Sequence, residues 1–299
     1  MLSFIICTYN RERYIYECLS RLAKNTVQEG WEIVLVNNNS TDRTAVECER
    51  FAKDFPKVCY RYFVETQQGL SFARNRGLAE ANGNWLVFLD DDAMVEADYI
   101  TNLQSHLKQH PEAAAFGGPI EPFFEDGEPA WYSKWSMGFV SAIDRGNMVH
   151  VFPDNKFPIG ANMGIKREEL DKVGLFNTEL GRTGNNLLAG EEKDLFNRIR
   201  QAEGIILYFP NIGVKHCIPA KRTTMEFVAK LGYGVGQSEK LRTIQIGTFT
   251  YGKRLFSELI KWCGTMVLWL YYAIQGYRAK GDTLVLFRYH VTRGLLTRS

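Results

Sequence analysis

Four short apolar runs, separated by segments of helical periodicity, fill the first third of the chain. Leu2 to Thr8, Glu32 to Val36, Cys59 to Val64 and Trp85 to Leu89 read as strands. Arg13 to Lys24, Asp42 to Asp54 and Ser71 to Ala81 read as the helices between them. Strands joined through helices pair in parallel, because a tight turn cannot return the chain to the same end of a sheet. The alternation therefore predicts an α/β fold, a mostly parallel mixed sheet flanked by helices. The turn chemistry agrees. Asn37-Asn38-Asn39-Ser40-Thr41-Asp42 feeds a helix start, and Asn82-Gly83-Asn84 stops the third helix before the fourth strand.

That fourth strand ends in three consecutive carboxylates, Asp90-Asp91-Asp92. Open α/β sheets bind ligands at the carboxyl ends of their strands. Three adjacent anions repel one another, and burying them without a cation is costly. Side chains alternate along an extended backbone, so Asp90 and Asp92 point the same way and can share one hard cation. Carboxylates together with phosphate oxygens suit magnesium or manganese. A solvated acidic turn is the alternative reading of the triplet taken alone.

Beyond Pro119 the pattern changes. Residues 119–160 are rich in Pro, Gly and aromatics, among them Trp131, Tyr132 and Trp135, and read as a pocket wall rather than a second domain. Order returns at Ile159 to Ile165. A loop from Gly181 to Gly190 leads into a helix from Glu191 to Gln201, and a strand, Ile205 to Phe209, precedes His216. The domain reading is a catalytic domain over residues 1–218 and a helical extension over 219–299. That extension is aromatic and basic. Its apolar run, Trp262 to Tyr277, is shorter than the roughly 20 residues a membrane-spanning helix needs. Lys253, Arg254, Lys261, Arg278 and Lys280 bracket the run. It reads either as an amphipathic surface lying on an anionic membrane or as a helical hairpin packed on the catalytic domain.

A net charge of +2 gives no polyelectrolyte signal, so nucleic acid is not an expected partner. The six cysteines form no CxxC pair and no metal-ligand spacing, as expected of buried thiols in a reducing compartment. Met1 runs directly into a strand with no basic n-region, which gives the expectation of a cytoplasmic protein, or one at the cytoplasmic face of a membrane.

Five segments together carry a resemblance. Ile5-Ile6-Cys7-Thr8-Tyr9-Asn10-Arg11 looks like the first strand of family 2 glycosyltransferases of the GT-A (nucleotide-diphospho-sugar transferase) fold. Val36 to Asp42 and Gly69 to Gly77 resemble that family's next two signatures. Asp90-Asp91-Asp92 matches its DxD motif, and Gly190-Glu191-Glu192-Lys193-Asp194-Leu195 is similar to its later "ED" motif. The resemblance covers about residues 1–216 and leaves the tail outside.

It implies an inverting transferase that moves a sugar from a nucleotide-sugar to an acceptor hydroxyl. A divalent metal, Mn2+ or Mg2+, would sit on the diphosphate, held by Asp92 with Asp90 nearby; Asp90 would also lie near the ribose, with Asp91 less defined. Thr8, Tyr9 and Asn10 would form the nucleotide floor. Asp42 would read the base, and it or Thr41 could also cap the following helix. Arg74 would contact base or diphosphate. Glu192 takes the general-base position, where the family often has Asp, with Glu191 as runner-up; Asp194 and Arg198, four apart on a helix, read as an ion pair. His216 would complete the metal site, and Asn162 would line the donor-sugar pocket. Lys221 or Arg222 would pair with the diphosphate, and Trp131, Tyr132 or Trp135 would stack on the acceptor or simply pack. A UDP-sugar is the favoured donor, and a glycan or lipid-linked molecule in surface polysaccharide or glycoconjugate synthesis the acceptor. Two rivals remain at this level. A nucleotidyltransferase would want a glycine-rich loop after the first strand, which Cys7-Thr8-Tyr9-Asn10-Arg11 lacks. A non-catalytic nucleotide-sugar-binding protein or scaffold of the same fold would need the acids at 191 and 192 to face away from the metal site.

Overall fold

In a computed structural model, which describes residues 1–25, 29–181 and 190–297, the chain forms two compact units. The first takes Met1–Phe123, Ala142–Glu179 and Glu191–Cys217. The second takes Phe124–Ser141, the described ends of Leu180–Gly190, and the chain from Ile218 onward. The loop read at 181–190 lies, between its two terminal glycines, outside the described residues.

The first unit opens with the expected alternation: β1 (Leu2–Thr8), α1 (Ile15–Ala23), β2 (Trp31–Asn37), α2 (Thr44–Asp54), β3 (Tyr60–Val64), α3 (Leu70–Glu80) and β4 (Trp85–Asp90). Then follow β5 (Ala93–Val95), α4 (Tyr99–Gln109), β6 (Ala113–Gly117), β7 (Ile120–Phe124), β8 (His150–Val151), β9 (Met163–Lys166), α5 (Arg167–Val173), α6 (Glu191–Gln201), β10 (Ile205–Tyr208) and β11 (Val214–Ile218). Eight strands make one sheet in the order β3-β2-β1-β4-β9-β6-β10-β8, and β5-β11-β7 make a smaller one. β3, β2, β1 and β4 run parallel, while β9 is antiparallel to both β4 and β6.

The central strands are largely apolar because both faces are covered, and two buried exceptions, Ser3 and Glu32, bond each other. Alternate residues of β1 serve opposite cores. Phe4 and Ile6 join Leu19, Phe51, Tyr99 and Leu103 of α1, α2 and α4. Ile5 joins Ala73, Leu78, Leu170 and Phe196 of α3, α5 and α6. Strand order reverses between β1 and β4, whose ends stand in register with Cys7 opposite Asp90. Such a reversal opens a crevice at the carboxyl ends, because the flanking connections leave toward opposite faces.

The second unit contains the helical tail: α7 (Met225–Ile246), α8 (Thr248–Ile274) and α9 (Arg278–Leu296). α7 and α9 approach through glycines. A Cβ on Gly236 would fall on the Val291 carbonyl oxygen, and one on Gly294 on that of Tyr233. Gly294→Ala is therefore expected to cost about 1–3 kcal/mol of stability by overpacking a backbone-to-backbone contact. At Gly264 of α8 an added Cβ meets nothing within 4 Å. There alanine is expected to be neutral or stabilising by up to about 1 kcal/mol. Urea unfolding followed by helical circular dichroism checks both. Among the described residues, no helix is long and apolar enough to cross a membrane.

Candidate active site

The crevice between β1 and β4 receives side chains from both cores' edges. Asp90 ends β4, and a turn carries Asp91 and Asp92 into β5. β5 pairs antiparallel with β11, placing His216 opposite Ala93. The Cys217 amide donates to the Asp92 carbonyl at 2.9 Å, locking that turn to β11. As a result His216 Nε2 lies 3.0 Å from Asp92 Oδ1, both side chains buried. One ligand atom each from Asp90, Asp92 and His216 lie within 4.8 Å of one another. Two carboxylates and an imidazole at that spacing could hold a divalent metal ion. The middle aspartate belongs to a different arrangement. Asp91 and Asp92 face Arg11, at 3.3 and 3.4 Å. Burial pushes the Asp91 carboxyl up to about 7 against the pull of Arg11.

A second acidic group stands at the amino end of α6, where the helix dipole favours negative charge. Arg74 of α3 reaches it with both terminal nitrogens, 3.0 Å from Glu191 Oε1 and 2.8 Å from Glu192 Oε1. The Gly160 amide also donates to Glu192 Oε1 at 2.8 Å. A Cβ at Gly160 would strike the Arg74 guanidinium and the Glu192 carboxylate, so this glycine is what lets the chain pass the pair. The Arg74 guanidinium sits 5.2 Å from the Phe176 ring and 5.9 Å from the Phe88 ring, which fixes it from the side. Burial raises Glu192 to about 7; Arg74 pulls it down and Glu191 pushes it further up. Glu191 is the more enclosed, at 5% side-chain exposure against 17% for Glu192. The Asp90 charge favours the charged form of Arg74 and pushes the Glu192 carboxyl further up.

The loops after β1 and β2 are laced together. Asn10, in the left-handed region at φ 54°, accepts from the Thr41 amide at 2.8 Å, and its own amide donates to Ser40 Oγ. Thr8 is buried, and Tyr9 is exposed beyond it. Asn38 is buried and pins the segment before α3: its side chain donates to the Glu65 and Gln67 carbonyls and accepts from the Gly69 amide.

Three sequence-identified residues have protein partners of their own. Asn162 is fully buried. Its amide donates to the Pro119 and Ile212 carbonyls and accepts from the Tyr99 hydroxyl, so the side chain has no capacity turned to a sugar. Asp42 accepts from Thr44 and from the Glu12 amide. Burial raises its carboxyl, but these hydrogen bonds outweigh that and hold it below the usual range, as expected of a cap. Arg74 donates from both terminal nitrogens to the acids of α6. In the second unit, Trp131 is buried and donates to the Thr223 carbonyl, while Trp135 is exposed. Lys221 and Arg222 lie there too, with Arg222 5.6 Å from the Phe227 ring. Asp194 and Arg198 form the expected ion pair at 2.9 Å. The pairing of Arg11 with the aspartates and the passage of Gly160 past Arg74 and Glu192 were not part of the sequence reading. The signal for Arg11 was a cation just past a strand end, in a fold whose neighbouring strand ends in three acids.

A reversed-order sheet with an acid-imidazole cluster at its switch point and a second acid pair beside it defines a GT-A-type sugar transferase. Residues 3–174 match the family described as Glycosyl transferase family 2, and the chain belongs to that family. It is 25% identical over 246 residues to a glucosyl-dolichyl phosphate glucuronosyltransferase of Haloferax volcanii, covering 80% of this chain and 76% of the relative. It is 27% identical over 239 residues to the succinoglycan biosynthesis protein ExoM of Rhizobium meliloti, covering 78% and 72%. Its fold is that of the Pyrobaculum calidifontis mannosyltransferase PcManGT, solved with GDP-Man and Mn2+. The TM-score is 0.64 at 17% identity over 99% of this chain and 87% of that one. The S. aureus TarS fragment 1–349, solved with UDP-GlcNAc, matches with a TM-score of 0.58 at 15% identity, over 98% and 90%. The protein is a glycosyltransferase, and the scaffold alternative falls away.

Proposed function

We propose that this enzyme is a metal-dependent, inverting glycosyltransferase. It moves a sugar from a nucleotide-sugar, a UDP-sugar by preference over dTDP- and GDP-sugars, to a hydroxyl of a glycan or lipid-linked acceptor. The setting is surface polysaccharide or glycoconjugate synthesis at the cytoplasmic face of a membrane. The observation that carries the reading is the Asp90, Asp92 and His216 cluster at the end of β4, together with the pair of acids that Arg74 holds on α6.

Asp92, Asp90 and His216 are the residues that would hold the cation. A divalent cation there supplies Lewis-acid charge to the departing diphosphate. Thr8, Tyr9 and Asn10, at the mouth of β1, border the nucleotide. Glu192, the more open of the two acids, takes the proton of the acceptor hydroxyl. That oxygen bonds to the anomeric carbon as the bond to the diphosphate breaks, and attack from the opposite face inverts the centre. Arg74 and the Gly160 amide hold the carboxylate in place through its Oε1. Glu191 balances the second arm of Arg74 and keeps the buried guanidinium paired.

A base must be ionised to accept a proton. Glu192 is raised to about 7, so its active form is lost as pH falls through that value. The expected kcat/KM profile rises about tenfold per unit below pH 7 and flattens above it. An ordinary exposed carboxylate would give a limb near pH 4. Turnover with UDP-glucose, UDP-N-acetylglucosamine and UDP-glucuronate in the presence of Mn2+ tests the reading, with donor hydrolysis as the readout when no acceptor is added. Nuclear magnetic resonance of the released or transferred sugar gives the anomeric outcome. Retention of configuration would exclude the single-displacement role assigned to Glu192.

A further inference from the structure

Among the described residues, α8 leaves one whole face uncovered. Its buried side carries Glu258, Thr265 and Tyr272 against α7 and α9. Glu258 is held by Arg254 at 2.6 Å and Arg288 at 3.0 Å, and Trp262 and Trp269 donate to Thr292 and Asp282 of α9. The opposite side repeats at helical spacing: Phe249, Phe256, Ile260, Val267, Leu270 and Ile274, all exposed, with Phe256 at 65%, Val267 at 68% and Ile274 at 75%. At 1.5 Å per residue this stripe runs for nearly the whole helix, about 40 Å. Apolar faces of that extent mark interaction surfaces rather than ordinary solvent contact.

The charge around it names the occupant. From Thr248 to Leu296 the only acids are Glu258 and Asp282. Glu258 is buried among arginines, and Asp282 holds Trp269 on the α9 side. The exposed cations of this stretch are Lys253 and Lys261 on α8, Arg278 just beyond its end, and Arg293 on α9. An apolar stripe edged by cations, with no acid on it, complements an anionic lipid surface. The helix does not reach the hydropathy needed to span a bilayer, which leaves it lying in the interface. A self-complementary dimer face would meet its own lysines across the two-fold axis with no acid to pair them.

We propose that the Phe249–Ile274 face of α8 docks on anionic membrane lipid, half-inserted along its length. This deepens the membrane setting of the proposed function, but lipid binding itself does not depend on the donor-site chemistry. The test is co-sedimentation of the full chain with vesicles of phosphatidylcholine containing about one third phosphatidylglycerol, and with phosphatidylcholine alone. The double variant Phe256→Glu/Val267→Glu changes two exposed positions, so folding is expected to survive; Val46→Glu on α2 is the control, also at an exposed apolar position. Wild type and V46E are expected to sediment with the anionic vesicles at least about tenfold better than with neutral ones, and the double variant to stay in the supernatant. UDP binding with Mn2+, measured on the same samples, is expected to be equal in all three, so a failed donor site and a failed lipid face are told apart. The proposal is overturned if wild type ignores anionic vesicles, or if the double variant binds them as wild type does. It is equally overturned if wild type is a dimer without affinity for vesicles that the double variant converts to monomer, since the face then joins two copies.

Discussion

Glu192→Gln is expected to lower kcat by about 10²–10⁴-fold, the range associated with loss of a positioned general base, while the donor KM stays close to wild type. Glutamine keeps the length of the side chain and an oxygen for Arg74 and the Gly160 amide, so the packing around the site persists. What disappears is the lone pair of an ionised carboxylate. Glu192→Asp retains the charge but withdraws it by one methylene, and is expected to fall between the two. Glu191→Gln supplies the contrast. Glu191 is nearly sealed and faces the same guanidinium, so its loss leaves a buried cation with one partner fewer. Its expected effect is on stability, up to about 3–5 kcal/mol, with a smaller effect on kcat than Glu192→Gln. Steady-state kinetics together with chemical unfolding of all three variants separates the roles. Equal kcat losses for the two Gln variants would show that the acids act as a unit rather than as base and support.

Asp92→Asn is expected to remove metal-dependent donor binding and to lower kcat/KM by at least about 10²-fold, since a Lewis acid on the leaving group supplies several kcal/mol. Of the three aspartates, Asp92 is the one the fold holds most firmly. It is buried, tied through its carbonyl to Cys217, and beside His216 Nε2. Its removal also relieves the crowding of three adjacent anions. Because the variant also gives up the pairing with Arg11 and His216, the ligand-free protein is expected to unfold at a temperature close to wild type. Calorimetric titration with Mn2+ in the presence of UDP reads the binding loss, and a thermal scan of the free protein reads the second outcome. A variant that binds metal normally would move the site off β4.

Much of this molecule was legible because its early elements are strongly periodic. β1 to β4 and α1 to α3 bury continuous or amphipathic apolar runs, and local pattern decides such segments. The three aspartates were visible for a related reason: an acidic triplet at the end of a buried strand conflicts with its surroundings unless a ligand resolves it. The segment between Asp92 and Pro119 gave no such signal. Ala113-Ala114-Ala115 is the composition of a helix, yet it forms β6, fully covered between β9 and β10, where tertiary packing overrides propensity. Asn162 was read for chemistry, but its partners lie 43, 50 and 63 residues away in sequence, and no local pattern reveals that its amide is consumed by backbone carbonyls and a tyrosine hydroxyl. The same holds for Arg74, whose acids are 117 and 118 residues distant. Arg11 could be placed against the triplet only once β1 and β4 were neighbours.

The central claim is that Asp90, Asp92 and His216 form a donor site whose nucleotide is held through a metal. The most direct measurement is thermal stabilisation of the wild-type protein and of Asp92→Asn by UDP, dTDP and GDP, each with and without Mn2+. A ligand at about 100 times its Kd adds roughly 2.7 kcal/mol to the folded state, which a thermal scan resolves. The account predicts that UDP stabilises wild type most, only with Mn2+, and stabilises Asp92→Asn not at all. Stabilisation that ignores the metal, or that survives in Asp92→Asn, would contradict it.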